Sequence, residues 1–170
     1  MIYRNAVKYI LNSPDSSDVK PSHSRMQLLW NHLGSPQKNL KYLRLAGSNG
    51  KTVCSKLLIS VLKEAEISVG CLNMPVRKDI KDNITINGSP LSMEKAAEYA
   101  TKVATAVQEI NSETKKRAEE DPDGVTYDEF IPSSSEIILS MALLAFKEKL
   151  KWWQWVGFGV GAVATVLLSI

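Results

Sequence analysis

An α/β fold with a partial parallel sheet and flanking helices is what this chain of 170 residues predicts. Three observations point there. The apolar run Tyr42 to Ala46 leads into a glycine loop and then a long helical pattern. A second apolar run, Ile67 to Leu72, follows that helix and completes a strand–helix–strand unit. Such a unit should have parallel strands and a right-handed crossover. The first strand, 41–46, alternates poorly and is mostly apolar, as a strand covered on both faces should be.

The chain in order supports this layout. Ile2, Ala6, Tyr9 and Ile10 recur at helical spacing, and Ser13-Pro14-Asp15-Ser16-Ser17 reads as a loop. A second helix is expected over about 24–32, with Met26, Leu28, Leu29 and Leu33 apolar, Gly34 as its C′ residue and Pro36 preventing restart. The helix from Lys51 to Glu64 carries Val53, Leu57, Leu58, Val61, Leu62 and Ala65, a stripe suited to packing on a sheet. Gly70 lies inside the second strand. Ile84-Thr85-Ile86 before Asn87-Gly88 signals a small hairpin. Ser92 then reads as the N-cap of a helix bearing Ala96, Ala100, Val103, Val107 and Ile110 on one stripe, with Tyr99 beside them. Lys115 to Glu120 reads as a solvated helix end, and Asp121-Pro122-Asp123-Gly124 as a breaker. Ser133 to Glu136 forms a capping box that starts a helix with Ile137, Ile138, Met141, Leu144 and Ala145.

The chemistry centres on Gly47-Ser48-Asn49-Gly50-Lys51-Thr52. Glycines allow positive φ and close approach of backbone to a phosphate. A helix start offers free N–H groups and a positive dipole end. Lys51 can reach the β- and γ-phosphates of a nucleotide, and the Thr52 hydroxyl can sit on Mg²⁺. The full G-x-x-x-x-G-K-[ST] spacing is not met, because Gly47 and Gly50 are three apart. An ordinary strand-to-helix turn with an exposed lysine is the competing reading.

Composition bounds the rest. Length predicts one domain, and 44% hydrophobic with 23% charged residues is ordinary for a globular protein. A net charge of +3 with scattered lysines argues against nucleic acid as a partner. Cys54 and Cys71 are read as small buried apolar residues rather than a disulfide, and His23 and His32 lack metal-ligand neighbours. Asp121, Asp123 and Asp128 have no EF-hand register. Arg4 and Lys8 interrupt the first helical run, so no signal-peptide pattern opens the chain. Cytosolic placement of 1–150 is expected.

The last stretch, 151–170, differs in kind. Trp152 to Ile170 holds no charge and reaches the length of a membrane span, with Trp152, Trp153 and Trp155 at one edge and Lys147, Lys149 and Lys151 just before it. Gly157 and Gly161 open a small-residue face suited to pairing two such helices. A buried helix, or a scar where the reading frame changes, are the alternatives.

Several of these pieces together resemble a known family. Arg25-Met26 with Leu28-Leu29, then Leu33-Gly34-Ser35-Pro36-Gln37-Lys38, then Ala46-Gly47-Ser48-Asn49-Gly50-Lys51 are similar to the N-terminal part of folylpolyglutamate synthase/dihydrofolate synthase, a branch of the Mur ligases. The resemblance covers most of 1–150, the start of a Mur ligase-like ATP-binding central domain, and about the first third of such an enzyme. It implies ATP and Mg²⁺ as cofactors, folate and glutamate as substrates, and ATP-dependent amide formation through an acyl phosphate. Lys51 and Thr52 would neutralise phosphate charge, with Gly47, Ser48, Asn49 and Gly50 supplying backbone donors. Where the family has Thr-Ser-Pro-His after its second strand, this chain has Asn73-Met74-Pro75-Val76, and Met74 is no ligand for a hard cation. Where an aromatic-Glu pair opens the family's later helix, this chain has Ser135-Glu136. The family's later metal-binding Glu and its C-terminal domain have no counterpart here. Three functional readings therefore stand: a ligase of this type, incomplete in this chain and inactive alone; a membrane-tethered non-catalytic nucleotide-binding module; or a truncated inactive relic.

Overall fold

A computed structural model describes residues 1–15, 23–38, 40–47, 49–76, 79–120 and 128–149. Helix α1 spans Tyr3–Leu11, α2 His23–His32, α3 Lys51–Glu64, α4 Met93–Glu120 and α5 Ser134–Lys149. Strands β1 (Gly70–Leu72), β2 (Ile84–Ile86) and β3 (Ser89–Pro90) form one small sheet in the order β1-β2-β3, and a 3₁₀ turn, Ile80–Asn83, leads into β2.

The helices build the core. Every residue of the α4 stripe, Ala96, Ala100, Val103, Val107 and Ile110, is buried, with Tyr99 fully so. Alanine-rich sequence favours this long helix, and Lys102 pairs with Glu98 one turn earlier at 2.9 Å. On α5, Ile137, Ile138, Met141, Leu144 and Ala145 are buried against it, joined by Ala6 and Ile10 of α1 and Met26 and Leu29 of α2. The capping box at the head of α5 is formed in both directions. The Glu136 N–H donates to Ser133 Oγ at 3.3 Å, and the Ser133 N–H donates to Glu136 Oε2 at 2.8 Å. Ser92 caps α4 through the Lys95 N–H at 3.3 Å. Asn87 and Gly88 take positive φ, 52° and 82°, which a tight two-residue hairpin requires.

The sheet corrects the sequence expectation. β1 pairs with β2, and β2 with β3, both antiparallel. Residues 41–46 join no ladder, so the parallel strand–helix–strand unit does not form among the described residues. The physical reason is partnership. A parallel strand needs neighbours at its edges and cover on both faces, and nothing described lies alongside 41–46 in a ladder. The hairpin turn at Asn87-Gly88 instead gives β1 an antiparallel neighbour.

Helix α3 departs for the same reason. It buries no side chain, and Val53, Leu57 and Val61 stand 62, 62 and 65% exposed. Cys54, expected to be buried, is exposed, and Cys71 is partly buried. The expected membrane span within 151–170, including the Gly157/Gly161 face, lies outside the described residues, as do Ser48 and the breaker at Asp121–Gly124. Among the described residues no helix is long and apolar enough to cross a membrane.

Candidate functional site

The glycine loop enters α3 through Gly50, whose φ of 78° places it in the left-handed region as the N-cap. A β-carbon there is strained, so glycine lets the chain turn directly into the helix. The Gly50 carbonyl accepts the first helical bond, from the Cys54 N–H at 2.9 Å. The first turn of α3 carries no acidic residue, which leaves the positive end of the helix dipole uncompensated. Lys51 Nζ donates back to the Gly47 carbonyl, folding its ammonium over the loop. Thr52 is exposed on the first turn, and Ser55 Oγ donates to its carbonyl at 3.0 Å. The structure thus brings Gly47, Gly50, Lys51 and Thr52 around one helix start, with Asn49 between them.

A metal at this loop would have few protein donors. Among the described residues no group of three His, Cys, Asp or Glu gathers. Mg²⁺ characteristically keeps several waters and takes one or two protein ligands beside substrate phosphates, so the Thr52 hydroxyl is a fitting single donor. The Met74 thioether is not.

A second locus lies across the molecule's β1 end. A groove of about 570 Å³ is lined by Met74, Pro75 and Val76 after β1, by Ser134 and Ser135 at the head of α5, and by Leu11, Ser13 and Asp15. The Met74–Pro75 peptide is cis. The Ser134 N–H donates to the Pro14 carbonyl at 3.0 Å, tying the α1 exit to α5. Sequence reading missed the residue that shapes this loop. Asn83 is fully buried, and its Nδ2 donates to the Asn73 carbonyl at 2.5 Å and the Pro75 carbonyl at 2.9 Å. No periodicity marks such a residue; its polarity in a short loop before a strand was the one available signal.

Charge gathers where α4 meets the end of α5. Lys102 and Lys95 bracket Glu98 and Glu148, with Lys102–Glu148 at 3.0 Å and Lys95–Glu98 at 2.8 Å. The Tyr99 hydroxyl donates to Glu148 Oε2 at 2.8 Å. Hydrogen bonds from Lys95 and Lys102 hold the Glu98 carboxyl down at about 2. Burial opposes ionisation of Glu148, yet bonds from Lys102 and Tyr99 keep its carboxyl below the usual range. Burial, then the bond to Glu148, pushes the Tyr99 phenol up. This cluster is a structural seam between helices and lies apart from the glycine loop.

Comparison with known proteins agrees on one family. No family model matches the chain. A dihydrofolate synthase/folylpolyglutamate synthase of Bacillus subtilis is 29% identical over 130 residues, which is 76% of this chain and 27% of that protein. The folylpolyglutamate synthetase structure from Lactobacillus casei matches 88% of this chain and 34% of its own, at a TM-score of 0.70 and 23% identity. An FPGS complex with AMPPCP and folate matches at a TM-score of 0.67 and 22% identity. The chain spans about a quarter of the Bacillus relative and a third of the matched structures. In sequence and in fold, it is similar to the N-terminal portion of the folylpolyglutamate synthase/dihydrofolate synthase family.

Proposed function

We propose that this chain provides the nucleotide-phosphate-binding portion of a ligase of the folylpolyglutamate synthase type. The observation that carries the reading is the left-handed Gly50 opening α3 with Lys51 folded over the loop. Backbone N–H groups of Asn49 to Thr52 would face the phosphates, Ser48 and Gly47 completing the cradle, and the helix dipole would favour their charge. Lys51 would exchange its bond to the Gly47 carbonyl for the γ-phosphate. Thr52 would hold Mg²⁺, which supplies charge neutralisation at the transferred phosphoryl group. A folate carboxylate would attack the γ-phosphorus, releasing ADP and forming an acyl phosphate, and the glutamate amine would then attack the acyl carbon, forming the amide and releasing inorganic phosphate. The groove beside Met74 and Ser135 has the volume of a small-ligand site and is the candidate seat of the folate.

Met74 favours a second reading, a nucleotide-binding module without turnover, since a thioether does not ligate a hard cation. Tethering of such a module through 152–170 rests on the uncharged sequence of that stretch. Both readings require the loop. Titration of the full chain with ATP by calorimetry, with and without Mg²⁺, tests it. Lys51→Ala should weaken binding by about 1.5–3 kcal/mol, the worth of a hydrogen bond to a charged group, or about 10- to 150-fold in Kd. Equal affinities in two folded proteins would refute the assignment. Phosphate release with folate and glutamate present separates ligase from module.

A further inference from the structure

A groove of about 890 Å³ runs between the start of α1, the end of α2 and one side of α4. It lies apart from the glycine loop and from the groove beside Met74. Ala97, Ala106 and Leu144, all buried, give it an apolar floor. Met1, Ile2 and Met93 line it while 49, 66 and 52% exposed, so three large apolar side chains gather at one mouth. A gathering of that kind marks an interaction site. Glu94 and Glu109 also line the groove, and neither has an ion-pair partner among the described residues.

We propose that this groove seats the chain's own segment Lys151-Trp152-Trp153-Gln154-Trp155, indole rings against its apolar wall. Three observations select that occupant. The first is where α5 delivers the chain. Leu144 lines the groove, and Glu148, one helical turn later, bonds at 3.0 Å to Lys102, which also lines it. Lys149 ends α5 beside the groove, and Trp152 and Trp155 follow it within a reach of at most about 10 and 20 Å. The second is chemistry. An indole has an apolar body and one N–H that needs an acceptor when buried. The groove pairs an apolar wall with the Glu94 and Glu109 carboxylates, and it has the volume of a pocket for a drug-sized molecule. The third is charge. Lys151 directly precedes the tryptophans and complements the acidic groove edge. So short a connection holds the segment at a millimolar local concentration, at which weak contacts suffice. Indoles seated here are withdrawn from a membrane surface, so this seat and a membrane tether are opposed outcomes. The inference does not depend on nucleotide binding, and its test adds no nucleotide.

Hydroxyl-radical footprinting of the full chain, without lipid and at monomer mass by light scattering, reads the indoles peptide by peptide. Trp30, partly buried and bonded to Ser140 Oγ at 3.2 Å, is the internal standard. The comparison is the double variant Ile2→Asp, Thr105→Glu. Both positions are exposed and line the groove. Ile2 is the N-cap of α1, a place Asp favours, and Glu is a good helix former, so the fold should be kept, as far-UV circular dichroism checks. Two carboxylates in the wall repel the negative face of an indole. Oxidation of 151–155 should be about tenfold slower in the unchanged chain than in the double variant, as a docked population ten times the free one requires. Trp30 should react alike in both. Glu94→Lys, one exposed change, gives an independent arm, since repulsion of Lys151 should raise the oxidation about threefold. No rise in either variant overturns the proposal. Protection found only at dimer mass overturns it in favour of a second copy, and protection found only with phosphatidylcholine–phosphatidylglycerol vesicles overturns it in favour of a membrane.

Discussion

Replacement of Gly70 by alanine should destabilise the protein through a single collision. A β-carbon at Gly70 would lie 2.2, 2.3 and 2.7 Å from three atoms of the Phe146 ring. Carbon atoms rest about 3.5–4.0 Å apart, so the ring would have to retreat by roughly 1.4 Å. Phe146 is partly buried on the face of α5 that meets β1, and it packs on the core. Its displacement is an overpacking event, which costs about 1–3 kcal/mol. Restricting the unfolded chain offsets about 0.4–1 kcal/mol of this, leaving a net loss of about 1–2 kcal/mol. Urea unfolding followed by far-UV circular dichroism reads it as a lower midpoint with an unchanged slope. Phe146→Ala supplies the control, because it removes all three ring atoms that the new methyl would meet. In that background Gly70→Ala should cost little, giving a coupling of about 1–3 kcal/mol between adjacent sites. An equal loss in both backgrounds would show that the ring is not the obstacle.

Other expectations follow from the same packing and hydrogen bonding. Asn83→Ala withdraws a buried donor from the Asn73 and Pro75 carbonyls; a loss of about 1–3 kcal/mol is expected in the same unfolding assay. Ser133→Ala removes the acceptor for the Glu136 N–H at the start of α5 and should lower stability by about 0.5–2 kcal/mol, with Ser133→Thr retaining most of it. The α4–α5 seam predicts an acid-side dependence. The folded-state pKa of Glu98 lies at about 2, below its ordinary 4.5. Its contribution is therefore full above the ordinary value and fades as pH falls from about 4.5 to about 2. Glu98→Gln should flatten the unfolding-midpoint profile across that window, and an unchanged profile would remove Glu98 from the acid response.

What the sequence disclosed and what it hid divide along a physical line. Elements fixed by their own residues were legible: the α4 stripe with Ser92 as cap, the Ser133–Glu136 box, and the Asn87-Gly88 hairpin. Each rests on bonds within a few residues or on a helical period. The helix start at Gly50-Lys51 belongs to the same class. Segment 41–46 was misread because a strand is a relation between segments, and its composition specifies a neighbour without supplying one. The exposed stripe of α3 follows from that. Gly70 was read only as lying inside a strand, and the ring it meets, Phe146, is distant in sequence. Asn83 was invisible because its worth lies in carbonyls that a turn, not a pattern, brings together.

The last turn of α5 holds two neighbouring fixtures. Phe146 meets Gly70, and Lys147 Nζ donates to the Gly34 carbonyl at 2.9 Å. The glycine loop and α3 therefore belong to a handle whose feet, at Gly34 and Gly70, both meet the last turn of α5, with Pro36 fully buried and the Val69 N–H donating to Asn87 Oδ1 at 2.8 Å close to them. Between the feet, α3 rests lightly, with Ile59 near the hairpin turn at Gly88. A handle of this kind opens and closes on its own free-energy scale, well below that of global unfolding. Its amides should exchange with solvent while those of α4 and α5 stay protected, and a protease should nick it without releasing the body.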